Sequence, residues 1–316
     1  MKKVIILLGP TCVGKTSVSI LLAKMLNTEI ISSDSMQIYR HMDIGTAKPS
    51  QQERQIVKHH MIDIVEPWES YSTGEYIKNV QPIISGLHKD GKVPVIVGGT
   101  GLYIRAMTRG IFKGPSADWD LRTELLKKEE KEPGFLYNHL KALDMKAAEK
   151  IMPNDLRRIV RALEVCLKSM KTMSELHEAL TAPLPYDYVK IGLMRDRKEL
   201  YRMIEQRVDR MLTEGLVREV GFVINLIKEH FLNSGPQPLN SELSSMQAIG
   251  YKEIAKYLSG EVSIEEAIRL VKKRSKVYAK RQFTWFKKED GIQWIDITGM
   301  NDPYDIFQKV IKFIHV

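Results

Sequence analysis

The chain opens on an uninterrupted apolar run at residues 4–8, VIILL, of the length of a buried strand, and the run stops at Gly9-Pro10. Apolar positions then recur at helical spacing over residues 17–26, so the opening predicts strand, turn and helix. A second strand is expected over residues 29–31, running into Ser32, Ser33 and Asp34, and a third over 93–97, running into GGTG at 98–101. Strands that alternate with helices and end in Gly, Ser or Asp loops predict a parallel α/β sheet with ligands at the carboxyl strand ends. From residue 118 to 180 the pattern changes to charged, helix-forming segments, among them 121–132 and 156–170, and PLP at 183–185 closes them. Residues 188–194 then read as a returning strand and 198–212 as a helix. A mobile loop is expected at Ser234 to Pro238, followed by a mainly helical remainder with a strand near 293–297. The expected architecture is a parallel-sheet core, residues 1–117 and 183–316, interrupted by a helical insertion, residues 118–182.

Composition narrows the class. With 316 residues, 43% hydrophobic and 28% charged, the chain can bury one large or two modest domains. No apolar stretch approaches the ~18 residues of a membrane span, and the run at 4–8 lacks a small-residue cleavage site, so it reads as a strand and cytoplasmic residence is expected. Cys12 and Cys166 are too few for a disulfide framework and lack zinc-ligand spacing. The net charge of +9 and pI near 9.3 favour an anionic partner such as nucleic acid.

The strongest chemical signal is GPTCVGKT at 9–16, which fits GxxxxGK[ST] between a strand and a helix. In such a P-loop, formed here by Gly9, Pro10, Thr11, Cys12, Val13 and Gly14, the backbone N–H groups, of which Pro10 has none, and the helix N-terminus surround a diphosphate. Lys15 would neutralise the anion and the Thr16 hydroxyl would ligate Mg²⁺. The fold class is therefore α/β, a P-loop NTPase-like parallel sheet with an inserted helical domain. The rest of a nucleotide-hydrolysis apparatus is sparse: there is no Asn-Lys-x-Asp motif, and the strand at 93–97 ends in glycines where a Walker B strand ends in Asp. A small-molecule kinase with lid arginines in the insertion stays open on these residues alone.

Asp34, just past the second strand, suits a general base or a metal ligand, and suits equally a turn or helix-cap aspartate. GGTGLY at 98–103 can bring amides and the Thr100 hydroxyl to a phosphate, or form a simple turn. In the segment 154–164, Leu156, Ile159, Val160, Leu163 and Leu167 mark a buried face and Arg157, Arg158 and Arg161 the remaining surface. Such arginines fit phosphates or unpaired bases, and fit equally a solvated helix in which Arg161 pairs with Glu164. Residues 269–288 hold nine Lys/Arg and no acid, with Tyr278, Phe283, Trp285 and Phe286 interleaved, and Leu270, Val277, Tyr278 and Trp285 suggest a docked face. That composition suits a helix lying along RNA, or a solvated basic face.

Taken in order, GPTCVGKT at 9–16, DSMQ at 34–37, GGTGLY at 98–103, NDLRR at 154–158 with RALE at 161–164, QAIGY at 247–251 and KRQFTW at 280–285 resemble the bacterial tRNA dimethylallyltransferases, also called tRNA isopentenyltransferases, over nearly the whole chain. The zinc finger of eukaryotic relatives is absent from the sequence, in keeping with two cysteines. The resemblance implies that the P-loop holds dimethylallyl diphosphate with Mg²⁺, the diphosphate leaving as the alkyl group moves. It implies that Asp34 is the general base on N6 of adenosine 37, next to the anticodon, in tRNAs reading codons that begin with U. Thr100 would hydrogen-bond the leaving group, and Lys15 and Thr16 would stabilise its charge. An adenine turned out of the anticodon loop would meet Asp34, Ser35, Met36, Gln37 and Thr100. Arg122, Arg157, Arg158, Arg161, Gln247, Gly250 and Tyr251 would contact the anticodon stem-loop, Arg122 fitting equally an exposed helix arginine and Ile249-Gly250 equally a close helix packing; the enzyme is expected to act as a monomer, with ATP as a further candidate ligand. An isopentenyltransferase acting on free adenylate, a kinase and a non-catalytic RNA-binding module are the alternatives.

Overall fold

The apolar run at 4–8 lies in β1 (Lys3–Leu8), whose residues from Val4 onward are fully buried, as a strand covered on both faces of a parallel sheet requires. The computed structural model describes residues 2–112, 114–180, 182–234 and 243–314. After β1 come α1 (Lys15–Met25), β2 (Ile30–Ser33), α2 (Gln51–Ile56), β3 (His59–His60), α3 (Thr73–Lys89), β4 (Val95–Gly98) and α4 (Gly101–Arg109). Five helices follow: α5 (Trp119–Lys131), α6 (Phe135–Leu143), α7 (Met145–Ala148), α8 (Leu156–Ser169) and α9 (Met173–Leu180). The chain continues through β5 (Asp187–Met194), α10 (Arg197–Glu214), α11 (Leu216–Ser234), a 3₁₀ turn (Ser245–Gln247), α12 (Tyr251–Leu258), α13 (Ile264–Phe286), β6 (Ile292–Asp296) and α14 (Pro303–Ile311). Beyond Ser234, the loop expected through Pro238 lies outside the described residues.

Two compact units result, one of Met1–Arg105 with Pro185–Val316 and one of Ala106–Leu184. The sequence pattern placed the insertion at 118–182; contacts place its start at Ala106. The reason is local: Leu184 donates its amide to the Met107 carbonyl, and a Cβ on Gly110 would lie 1.9 Å from the Ala182 carbonyl oxygen, so the outgoing and returning strands of chain run together from the end of α4.

The first unit is an α/β fold of the P-loop NTPase-like type. Its six parallel strands run in the order β3-β2-β4-β1-β5-β6. Leu8, Gly98 and Ser33 are aligned across β1, β4 and β2, so the loops that follow these strands leave the carboxyl edge at one level. One core layer joins β1 and β5 to α1 and α14 through Ile5, Leu7, Val18, Leu22, Ile191 and Phe307. A second gathers Tyr39, Met42, Val220, Ile227, Tyr251 and Ile254. On α13 the buried positions are Ala267, Val271, Ala279, Gln282 and Phe286. Val277 and Tyr278 keep 42% and 36% exposure, so the face expected from hydrophobicity is rotated towards one that includes a buried amide.

The second unit is all helical in its described residues. Leu125 of α5, Leu136 and Leu140 of α6, and Ile159, Val160 and Leu163 of α8 form its core. Leu167, expected on the buried face, is 43% exposed, and its place is taken by Glu164, which is fully buried.

Candidate active site

Gly14 caps α1 in the left-handed region, φ 91°, where the chain must turn from loop into helix and a side chain would be strained. The Lys15 ammonium folds back over the loop, donating to the carbonyls of Gly9 at 3.0 Å and Pro10 at 2.8 Å. Burial lowers its pKa to about 8, with the Asp34 charge opposing the shift and Arg207 adding to it. Below pH 8 Lys15 therefore carries its charge, and above pH 8 the binding of an anionic ligand is coupled to uptake of a proton by Lys15. Diphosphate affinity is expected to fall roughly tenfold from pH 7 to pH 9, with proton uptake on binding at the higher pH. Calorimetry in two buffers of different ionisation enthalpy checks this, and a pH-independent affinity without proton uptake would contradict it.

The loop lines a cavity of about 410 Å³ together with Asp34, Gln37, His59, Ile62, Arg207 and Arg210, among others. Val13 is buried beneath the loop, and the Cys12 thiol is pushed up by burial, a shift that Arg207 and Lys15 oppose, so it is an inert side chain here. Among the described residues Asp34 is the one carboxylate lining the cavity. Its Oδ1 accepts the amides of Met36 at 2.9 Å and Gln37 at 3.4 Å, which is the turn arrangement; Oδ2 has no protein partner among the described residues. The turn reading of Asp34 is thus met by one oxygen, and the turn bonds leave the other oxygen unengaged.

Thr100 is not part of the cavity lining. Its hydroxyl accepts the Ser35 amide at 3.0 Å and lies 3.4 Å from the Ser35 hydroxyl, while its own amide donates to the Ser33 carbonyl at 3.1 Å. The Gln37 side chain accepts from Ser32 Oγ at 3.1 Å and donates to the Ala47 carbonyl at 3.2 Å, holding down the loop whose Thr46, Ala47 and Pro49 form the cavity wall. Met36 packs partly buried on the second core layer.

Arg207, Arg210 and Gln282 were given no site role in the reading from sequence, and Tyr278 was read there only as an aromatic of the basic helix and part of its docked face. Arg207 of α10 donates to the Thr11 hydroxyl, and with Arg210 it brings guanidinium groups to the P-loop cavity; the i, i+3 spacing of the two arginines was the available signal. Gln282 of α13 accepts the Thr11 amide at 2.9 Å and donates to the Gly99 carbonyl at 3.0 Å, tying the P-loop to the second glycine-rich loop. A Cβ on Gly99 would lie 2.1 Å from Gln282 Nε2, so only glycine admits this staple. The Tyr278 hydroxyl faces Thr100 and Gln282, and burial together with the nearby Asp34 charge pushes its pKa well above the usual tyrosine range, so it remains a hydrogen-bond donor.

Several expected RNA contacts take other places. Tyr251 is fully buried, its hydroxyl on Glu219, whose carboxylate also accepts the amides of Asp43, Ile44 and Gly45. Gly250 is buried as well, its amide donating to Glu253 at 2.7 Å, so neither residue offers a surface to RNA; they brace the loop after β2. Gln247 is half-buried and accepts from Lys252 at 3.0 Å. In the second unit Arg122 grips both oxygens of buried Glu164 at 2.9 and 2.8 Å, and Arg161 pairs with the same carboxylate and donates to the Pro115 carbonyl at 3.0 Å. Their first role is to neutralise that charge. Arg157 and Arg158 are exposed, Arg158 lying 3.1 Å from Asp155, and they keep their guanidinium groups in solvent.

Among the described residues no group of three or more His, Cys, Asp or Glu is placed to hold a metal. With Thr16 and Asp34 at one cavity, the donor set fits a cation that keeps its waters and binds chiefly through substrate phosphates, as Mg²⁺ does.

The model of the IPP transferase family matches residues 37–289. A tRNA dimethylallyltransferase of Thermodesulfovibrio yellowstonii is 59% identical over 309 residues, covering 98% of this chain and 96% of that protein. A full-length tRNA isopentenylpyrophosphate transferase from Bacillus halodurans shares 39% identity at a TM-score of 0.68, over 99% of this chain and 97% of that one. A eukaryotic dimethylallyltransferase acting on tRNA shares 32% identity at a TM-score of 0.82, over 98% of this chain and 78% of that one. With the family model matched over most of the chain and relatives alike over nearly their full length, this chain belongs to the IPP transferase family.

Proposed function

We propose that the chain transfers the dimethylallyl group of dimethylallyl diphosphate to N6 of adenosine 37 in tRNAs reading codons that begin with U. The observation that carries this reading is the meeting, in one cavity, of a cationic P-loop with a single carboxylate. Lys15, Thr16, the loop amides and Arg207 would hold the diphosphate, and Asp34 would face the incoming nitrogen. The N6 lone pair forms the new bond to C1 of the donor as the C1–O bond breaks; the diphosphate leaves with that electron pair, and the N6 proton passes to Asp34 and then to solvent. An adenine amine is a poor nucleophile, so a carboxylate accepting its hydrogen assists attack while Lys15, Arg207 and the loop amides meet the charge that grows on the leaving oxygen. Mg²⁺, held through Thr16 and the diphosphate, would supply further charge neutralisation. Tyr278 and Ser35 would orient Thr100, and Thr100 the segment that carries Asp34.

For the RNA we assign the second unit, with exposed Arg157 and Arg158, and the solvent face of α13, with Lys273, Lys280 and Arg281, as contacts to the anticodon stem-loop. No helix of the described residues is long and apolar enough to cross a membrane, and we take the working enzyme to be a cytoplasmic monomer. Incubation with labelled dimethylallyl diphosphate, Mg²⁺ and unmodified tRNA is expected to place label on N6 of the adenosine next to the anticodon. Failure to label any RNA, with transfer of the terminal phosphate of ATP to a small molecule, would overturn the assignment.

A further inference from the structure

Trp119, at the start of α5 in the second unit, is 53% exposed, whereas Trp68, Trp285 and Trp294 are half-buried. Trp68 stacks on His230 with ring centroids 4.4 Å apart, and Trp294 meets the edge of Phe283 at 5.4 Å. Among the described residues the one ring or cation contact of Trp119 is Arg122, whose guanidinium carbon lies 4.9 Å from the ring centroid. That guanidinium cannot swing away, because both oxygens of buried Glu164 hold its edge at 2.8 and 2.9 Å. The same carboxylate accepts the Asp118 amide at 2.7 Å and so anchors the helix start beneath the ring. A wide aromatic surface is thus left to solvent in a fixed orientation, backed by a planar cation.

We infer that Trp119, held by Arg122, is a stacking platform for an unpaired base of the RNA substrate, and so a residue that sets RNA affinity in this chain. Stacking on an aromatic face suits any base, since every base has a π-face. The charges nearby favour a base over a phosphate as the occupant: Asp118 and Asp120 flank Trp119 in the chain, Arg122 beside the ring is already paired with Glu164, and Lys168 is paired with Asp118. A pre-oriented ring loses little conformational freedom on contact.

The inference rests on the proposal that the substrate is RNA, and the test separates the two. With full-length protein and an unmodified anticodon stem-loop, Trp119→Ala is expected to weaken binding about 5- to 100-fold, by the same factor at low and high salt. Trp119→Phe should retain most of the affinity and Trp119→Leu should not, and the KM for the prenyl donor should stay unchanged in all three. An Arg157→Ala, Arg158→Ala double variant, which removes phosphate contacts, should instead flatten the salt dependence. Wild-type affinity in Trp119→Ala, or a leucine variant as good as the phenylalanine one, would overturn the platform while leaving the function standing. A wild-type protein that binds no stem-loop but transfers the prenyl group to a free nucleotide would remove the RNA reading itself and the platform with it.

Discussion

Replacing Asp34 with Asn is expected to lower kcat by roughly 10²- to 10⁴-fold while RNA and donor affinities stay nearly unchanged. The choice of Asn matters. Its side-chain oxygen can still accept the amides of Met36 and Gln37, so the turn that Oδ1 organises survives, while the ability to take a proton from an amine is lost. Asp34→Ala removes both, and the difference between the two variants measures what the turn contributes. Single-turnover kinetics with unmodified tRNA gives the comparison directly. If the Asn variant turned over like wild type, Asp34 would be a structural aspartate and the base would have to be sought elsewhere in the cavity.

Glu164→Ala is expected to destabilise the second unit by about 3–5 kcal/mol, because it leaves the charges of Arg122 and Arg161 facing one another at a buried position with no anion between them. Burial alone would raise the pKa of Glu164, but hydrogen bonds from Arg122, the Asp118 amide and Arg161 outweigh it and hold the carboxyl below the ordinary glutamate range. The contribution is therefore complete above the unfolded-state pKa, near 4.3, and is lost as pH falls through the lower folded-state value. Thermal unfolding of wild type should show an acid-sensitive step that the Ala variant lacks, and Glu164→Gln should be intermediate because it can keep part of the hydrogen bonding. An Ala variant as stable as wild type across the acid range would show that the three charges are not coupled. The first unit, and with it diphosphate binding, should be little affected, which distinguishes this variant from one in the P-loop.

What could be read along the chain differs in kind from what could not. The P-loop was legible because its function is made by consecutive backbone amides, and consecutive amides need consecutive residues with glycines where the chain turns. Asp34 was legible as an acid at a strand end, but the division of labour between its two oxygens was not, since that depends on how the next residues fold back. Arg161 and Glu164 were readable as an i, i+3 pair; the burial of Glu164 and the second arginine, contributed by α5, were not. Tyr251 and Gly250 were expected to face RNA from the resemblance alone, with close packing as the other reading, and in the structure they are buried, bonded to Glu219 and Glu253. On α13 an apolar periodicity pointed to Val277 and Tyr278, whereas packing buried Gln282, whose amide is needed where two glycine loops meet.

By itself the order of residues determined a parallel α/β core, a P-loop motif at its first turn, an acid beyond the second strand and a charged helical insertion, because each is a local or periodic property of a short stretch. Only the tertiary structure decided which of the many charged side chains meet: Arg207 and Gln282 on Thr11, Tyr278 near Thr100, and two arginines on one buried glutamate. The physical reason is that hydrogen bonds and ion pairs act over a few ångströms in space, between residues that the chain can separate by hundreds of positions, and nothing in their local sequence registers the partner.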